Sequence, residues 1–257
     1  MVSIFLRSLV FNILFYLVFL FWVVIALPTF VLPRAAMLAV ANWWAQSNIL
    51  LMRAICNIKV EFRGVEKIPK GPLIVASKHQ SMWETISMLR FFEAPFFALK
   101  RELMFIPIFG LFLLKTSMIA IDRSAGGRAL IVMARRARQE VLGGRQFVIF
   151  PEGTRRPVGA APQYKPGIAL IYSDCGVPCL PVALNSGLFW PRRTFMRYPG
   201  TLVVEFLDPL PPGLPRDEFL MRMRTAIEEA TDRLVAAAQA EQAQLFGRVP
   251  SSAKAKL

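Results

Sequence analysis

Histidine is nearly absent from this chain of 257 residues: there is one, His79. Any chemistry that needs an imidazole must therefore use that side chain. Cysteine is almost as scarce, with Cys56, Cys175 and Cys179 the only three. A sparse, odd set offers no disulfide framework, and no Cys-x-x-Cys pair or histidine cluster suggests a metal site, so metal ligation is not expected. Buried thiols in a reducing compartment are the expectation. Acidic residues are also few, 17 against 31 Lys plus Arg, for a formal net charge of +14. Yet 55% of residues are hydrophobic and 21 are Phe. That apolar content excludes a disordered basic tail, which lacks the surface needed to offset ordering entropy. A chain both basic and greasy suits an anionic membrane surface better than a nucleic acid, and no nucleic-acid-binding module is recognisable.

Residues 8–33 carry no charge at all. About 20 apolar residues span a hydrocarbon core, so this run is long enough to enter a membrane, and it exceeds the apolar stretch of a cleaved signal peptide. Pro28 and Pro33 interrupt it, and a second apolar stretch follows from Ala35 to Ile55, with Trp43 and Trp44 suited to the headgroup level. The expectation is a pair of membrane-embedded helices over residues 1–56, arranged as a span or as a re-entrant hairpin. A catalytic domain over residues 57–247 and a flexible tail over 248–257 complete the expected organisation.

From Asn57 onward the pattern changes. Ile58–Phe62 alternates as a strand does, and Leu73–Ala76, Ser117–Ile121, Phe147–Phe150, Leu180–Leu184 and Leu202–Phe206 read as short strands. Between them Leu130, Met133, Ala134, Ala137 and Val141 recur at helical spacing, with Arg128, Arg135, Arg136 and Arg138 on the other face. Strands alternating with helices predict an α/β fold, a mixed, mostly parallel sheet flanked by helices. Leu103–Leu114 is an uncharged island too short to span, read either as a core helix or as an apolar wall that dips into a membrane. Asp217–Leu245 reads as a mixed-charge helix packed on the domain.

Two blocks follow predicted strands, where ligands gather in open α/β sheets. The first is Ser77-Lys78-His79-Gln80-Ser81-Met82-Trp83-Glu84. Five positions of a regular helix turn about 500°, so His79 and Glu84 meet only if His79 lies in the loop before a helix and Glu84 in its first turn. Glu84 then holds one ring nitrogen and stabilises the imidazolium. The same letters also fit a capping box, Ser81 with Glu84, and both readings stay open. Lys78 is read either as a phosphate contact or as a solvated lysine. The second block is Phe150-Pro151-Glu152-Gly153-Thr154-Arg155, in which Gly153 permits close backbone approach and Arg155 offers a fork for phosphate. Lys100-Arg101-Glu102-Leu103 and Ile121-Asp122-Arg123 are two further places where cations leave apolar segments. Together these blocks suggest a phosphate-bearing substrate beside a histidine base.

In that order, and with Val177-Pro178-Cys179-Leu180-Pro181-Val182 following, the blocks resemble the 1-acylglycerol-3-phosphate acyltransferase family of membrane glycerolipid acyltransferases. The resemblance runs from Ile58 to Phe206. It implies that His79 deprotonates the free hydroxyl of a lysophosphatidate, which attacks an acyl thioester directly, with no acyl-enzyme and no cofactor. It further implies that Lys100 and Arg155, assisted by Arg123, hold the acceptor phosphate, that Glu152, Gly153 and Thr154 form the substrate-site loop, and that the block at 177–182 lines the acyl side. Acyl-CoA or acyl carrier protein is the implied donor, lysophosphatidic acid and membrane lipid the implied partners. The implied location is the inner membrane, with the catalytic domain facing the cytoplasm. The chain departs from the family pattern in placing Glu84 where Asp is usual and Lys78 where Asn is usual. A tolerated substitution, another lysolipid acceptor such as a lyso-ornithine lipid, and an impaired enzyme that only binds anionic lipid are the three consequences to separate.

Overall fold

The protein is described by a computed structural model covering residues 2–122 and 126–247. Arg123 and residues 248–257, expected above to be a phosphate contact and a tail, lie outside the described residues.

Helix α1 (Val2–Ala26) runs into a turn of 3-10 helix (Leu27–Val31), and α2 (Arg34–Cys56) returns alongside it. The prolines act as expected. Pro28 opens the 3-10 turn and Pro33, in extended backbone, precedes the first residue of α2. The apolar stretch Val2–Val31 reaches a mean hydropathy of 2.7 with only 17% of its best window buried, long and apolar enough to cross a membrane. Among the described residues α1, with its 3-10 extension, is the one helix that meets that test; α2 does not, so the expected second membrane-embedded helix is unsupported at this level. Asn57 ends α2 in the left-handed conformation, which a short polar side chain tolerates.

Seven strands follow: β1 (Ile58–Arg63), β2 (Leu73–Ser77), β3 (Pro95–Lys100), β4 (Ile119–Ile121), β5 (Gln146–Ile149), β6 (Cys179–Leu184) and β7 (Gly200–Phe206). Their order is β1-β7-β6-β2-β5-β3-β4, and every pair is parallel except β6 with β7. Strand β2 is buried on both faces and therefore wholly apolar until Ser77. Its side chains alternate between two cores. Leu73 and Val75 join Trp83, Leu180 and Phe206 on one face, while Ile74 and Ala76 join Phe96, Phe147 and Ile171 on the other.

Helices α5 (Gly126–Leu142) and α6 (Gly167–Cys175) and the first half of α7 (Arg216–Phe246) cover the second face, through Ala134, Ala137, Val141, Ile168 and Phe219. The arginines of α5 at 128, 135, 136 and 138 are exposed, as the periodicity of that segment predicts.

The uncharged island at 103–114 is neither a core helix nor a single helix. A 3-10 turn (Arg101–Phe105) precedes α4 (Phe109–Lys115), and of α4 only Gly110 and Leu113 are buried. Gly110 is required: a Cβ there would collide with the Met104 carbonyl, so only glycine lets the two turns close on each other. Between them Ile108 sits at φ +64, a strained angle for a β-branched residue. One side of α4 packs on the amino-terminal helices, Phe109 near Phe19 and Phe112 stacked on Phe30 at 4.9 Å. Phe105, Leu111 and Leu114 are left exposed.

Candidate active site

The carboxyl ends of the parallel strands share one edge of the sheet, and the singled-out blocks leave from it. His79 follows β2, Phe150 follows β5, Lys100 ends β3, Asp122 follows β4 and Ser186 follows β6. His79 lies in the loop before α3 (Trp83–Ser87), and Glu84 in the first turn of that helix. His79 Nδ1 is 3.1 Å from Glu84 Oε1. The same oxygen accepts the backbone N–H groups of Gln80 and Ser81, both at 2.6 Å, while Oε2 accepts the Ser186 hydroxyl at 3.0 Å. Glu84 is fully buried, and four donors converge on its two oxygens. Such a set holds the carboxylate in one orientation.

Glu84 thus supports the imidazole and accepts the Ser81 N–H as well, but the expected capping box is not formed: α3 is capped at Met82 without a side-chain bond, and Ser81 Oγ accepts the Trp83 N–H at 3.2 Å. The extra methylene of Glu over Asp lets Oε1 reach backwards over the start of the helix. With Nδ1 tied to a carboxylate, the ring carries its proton there and leaves Nε2 free to accept another. The imidazole is stacked on Phe150, with ring centroids 3.9 Å apart and an interplanar angle of 16°. This fixes its plane from the neighbouring strand. The Arg156 N–H donates to the His79 carbonyl at 2.8 Å, a further tie between the two blocks.

Lys78 is neither solvated nor free for a phosphate. Its side chain is 4% exposed, and its Nζ lies 3.2 Å from Glu152 Oε1 and 2.7 Å from Glu228 Oε1. Tyr164 donates to the same Glu228 oxygen at 2.7 Å and presents its ring to the ammonium. Glu228 belongs to α7, so a buried cation ties the carboxy-terminal helix to the residue beside His79. Glu152 of the second block thus turns inward, away from any acceptor. Burial pushes its carboxyl above the usual range, and Lys78 opposes the shift.

The remaining expected contacts sit outside this dry cluster. Lys100 is exposed, with Glu102 at 3.8 Å as a loose partner, and Arg101 pairs with Asp122 at 3.1 Å in the open. Gly153 is exposed and takes φ +66, while Thr154 and Arg155 are half-buried. The Arg155 carbonyl accepts from Arg192 at 2.8 Å, and its guanidinium forms no ion pair among the described residues. Lys100 therefore stands on the β5–β3 side of His79, whereas the Arg155 backbone is tied to Arg192 of the β6–β7 connection. All three cysteines are buried, and burial raises the Cys175 thiol to about 11 and the Cys179 thiol further still. Among the described residues no cluster of His, Cys, Asp or Glu is suited to a metal.

Two participants escaped the sequence. Ser186 had a usable signal, since it lies just past a predicted strand as His79 does. Glu228 had none, because nothing local in a long mixed-charge helix distinguishes the one glutamate that turns inward.

Comparison with known proteins gives the family and the fold. A family model described as Acyltransferase matches residues 59–185. A 1-acyl-sn-glycerol-3-phosphate acyltransferase of Pseudomonas aeruginosa is 41% identical over 175 residues, covering 68% of each chain. The human 1-acyl-sn-glycerol-3-phosphate acyltransferase alpha is 29% identical over 174 residues, covering 66% of this chain and 62% of its own. The crystal structure of the 1-acyl-sn-glycerophosphate (LPA) acyltransferase PlsC from Thermotoga maritima superposes with a TM-score of 0.73 over 89% of this chain and 97% of that one, at 23% identity, which establishes a shared fold. With a relative 41% identical over 68% of its length, this chain belongs to the 1-acyl-sn-glycerol-3-phosphate acyltransferase family of enzymes.

Proposed function

We propose that the protein transfers an acyl group from an acyl thioester, of coenzyme A or of acyl carrier protein, to the free hydroxyl of 1-acyl-sn-glycerol-3-phosphate, giving phosphatidate. The acceptor follows the names of the relatives; the mechanism follows His79. Nε2 takes the hydroxyl proton as that oxygen forms a bond to the thioester carbonyl carbon. The C–S bond of the tetrahedral intermediate then breaks, and the proton passes from the imidazolium to the departing thiolate. Buried Glu84 holds Nδ1–H throughout and stabilises the imidazolium, which lowers the barrier to the first transfer. No protein nucleophile takes part, in keeping with the buried, high-pKa thiols.

Lys100 and Arg155, with Arg123, hold the acceptor phosphate beside His79. We place the enzyme at the cytoplasmic face of the inner membrane, held by α1 and attracted there by its +14 charge. The observation that carries the proposal is the His79–Glu84 pair at 3.1 Å, pinned by backbone donors at the ligand-binding edge of the sheet. Acyl transfer in vesicles tests it. Wild type should convert lysophosphatidate to phosphatidate, and His79→Ala, still folded, should lose about 10²–10⁴-fold in rate, the usual contribution of a general base. Transfer confined to other lysolipids would remove the acceptor and keep the mechanism. Anionic-lipid binding without any His79-dependent transfer would remove the enzyme.

A further inference from the structure

On the opposite flank of His79 from Lys100, where β7 and β1 begin, a cleft of about 280 Å³ opens between the start of α1, the end of α2 and the end of α7. Ile4 and Arg7 of α1, Cys56 of α2, Arg197, and Phe246 of α7 line it, and no carboxylate does. Arg197 is 5% exposed. One of its terminal nitrogens donates to the carbonyls of Thr194, Phe195 and Met196 at 2.9–3.1 Å, and the other to Asn12 Oδ1 at 3.1 Å. Its plane lies over the Trp190 ring at 4.3 Å, and its backbone N–H donates to Ser8 Oγ at 2.9 Å.

The guanidinium is thus built into place by α1, yet Nε has no hydrogen-bond partner and no carboxylate pairs with the group among the described residues. Burial lowers its pKa to about 10. A buried charge without an opposite charge is costly, and this one stands next to an open cleft that a second guanidinium, Arg7, enters from the apolar helix.

We propose that this cleft binds the phosphate headgroup of an anionic glycerophospholipid, which supplies the missing counter-charge and clamps α1 and α2 to the catalytic domain. A membrane lipid fits better than a free anion. The cleft is walled by the first two turns of the apolar helix, and Phe5, Leu6, Leu9 and Val10 are exposed next to it, where acyl chains would lie. The site is distinct from the acceptor site in place and in residues.

The test uses the full chain in phosphatidylcholine nanodiscs, titrated with phosphatidylglycerol and read by thermal unfolding and by retention of lipid in native mass spectrometry. Wild type should be stabilised with one phosphatidylglycerol retained. Arg7→Gln, at an exposed position that folding tolerates, should weaken that binding about tenfold, the scale expected for a lost charge-assisted contact. Arg53→Gln removes the same charge near the end of α2 outside the cleft and should leave the titration at the wild-type value. Equal losses in the two variants would reduce the effect to general surface charge and overturn the site. Inorganic phosphate reproducing the stabilisation would overturn the lipid assignment. Arg7→Gln raising the KM for lysophosphatidate while phosphatidylglycerol binding stays intact would assign the cleft to the acceptor instead.

Discussion

The two sides of the reactive edge are built to different standards. Around His79 nearly every polar atom is buried and partnered: Glu84 takes four donors, and Lys78 is shared by Glu152 and Glu228. Some strands away, Lys100, Arg101 and Asp122 stand in solvent with loose or exposed ion pairs, of the kind worth little to stability. On the proposed mechanism, the difference follows from what each side must do. A base works only in one orientation and one tautomer, so its supports are dry and rigid. A cation that receives a phosphate must be unoccupied until the phosphate arrives.

This contrast is open to attack from several directions. The largest effect should come from Glu84→Gln, which keeps the shape but turns one oxygen into a donor facing other donors. Acyl transfer should fall by about 10²–10⁴-fold in kcat with KM little changed. A loss confined to KM would show that Glu84 does not act through His79. Glu84→Asp should recover much of the rate, since the family's usual residue keeps the charge.

Lys78→Met comes next. It leaves buried Glu152 and half-buried Glu228 without their cation, and removing one partner of a buried pair costs about 3–5 kcal/mol in unfolding free energy. The purified protein should show it as a lower denaturant midpoint. A midpoint within error of wild type would mean that the triad is solvated.

On the open side, Lys100→Ala should raise KM for lysophosphatidate about tenfold and leave stability within about 0.5 kcal/mol. If instead the variant unfolds early, the two sides are not different in kind. The smallest effect is a slope. Glu152 is protonated more readily when folded than when unfolded, because burial raises its folded pKa above 4.5. Folding therefore takes up a proton above pH 4.5, and this group's contribution to stability falls as pH rises through the window between the two values. Glu152→Gln should remove that part of the slope in a pH series of unfolding midpoints.

Much of this architecture is legible in the residues. Six of the seven strands carry their own alternation or apolar run, and the Pro-bounded amino-terminal hairpin announces its turn. Strand β3 is hidden because Pro95-Phe96-Phe97-Ala98-Leu99 has neither alternation nor a turn signal at its start, and its apolar run merges by way of Lys100 with the island that follows. That the strand follows a short connection and opens on proline, which donates no N–H, obscures it further. The His79 block gave away its position and its partner, since both depend on a spacing of five residues. Lys78 was unreadable for the opposite reason: its fate is decided by Glu228, 150 positions away, and a local pattern carries no information on which distant helix will cover it. Arg197 is the same case, since burial by Trp190 and α1 is a tertiary fact.

The reversal between β6 and β7 has a consequence for traffic. Because β7 and β1 run opposite to the other five strands, β1 begins at the edge where β2 and β6 end, and Asn57 hands the chain from α2 to the sheet there. An all-parallel sheet would have moored the domain by its opposite edge, a full strand length from His79. Here the tether and the workbench share one rim, so on the proposed mechanism a tailed acceptor entering along α1 would reach His79 without a detour through water.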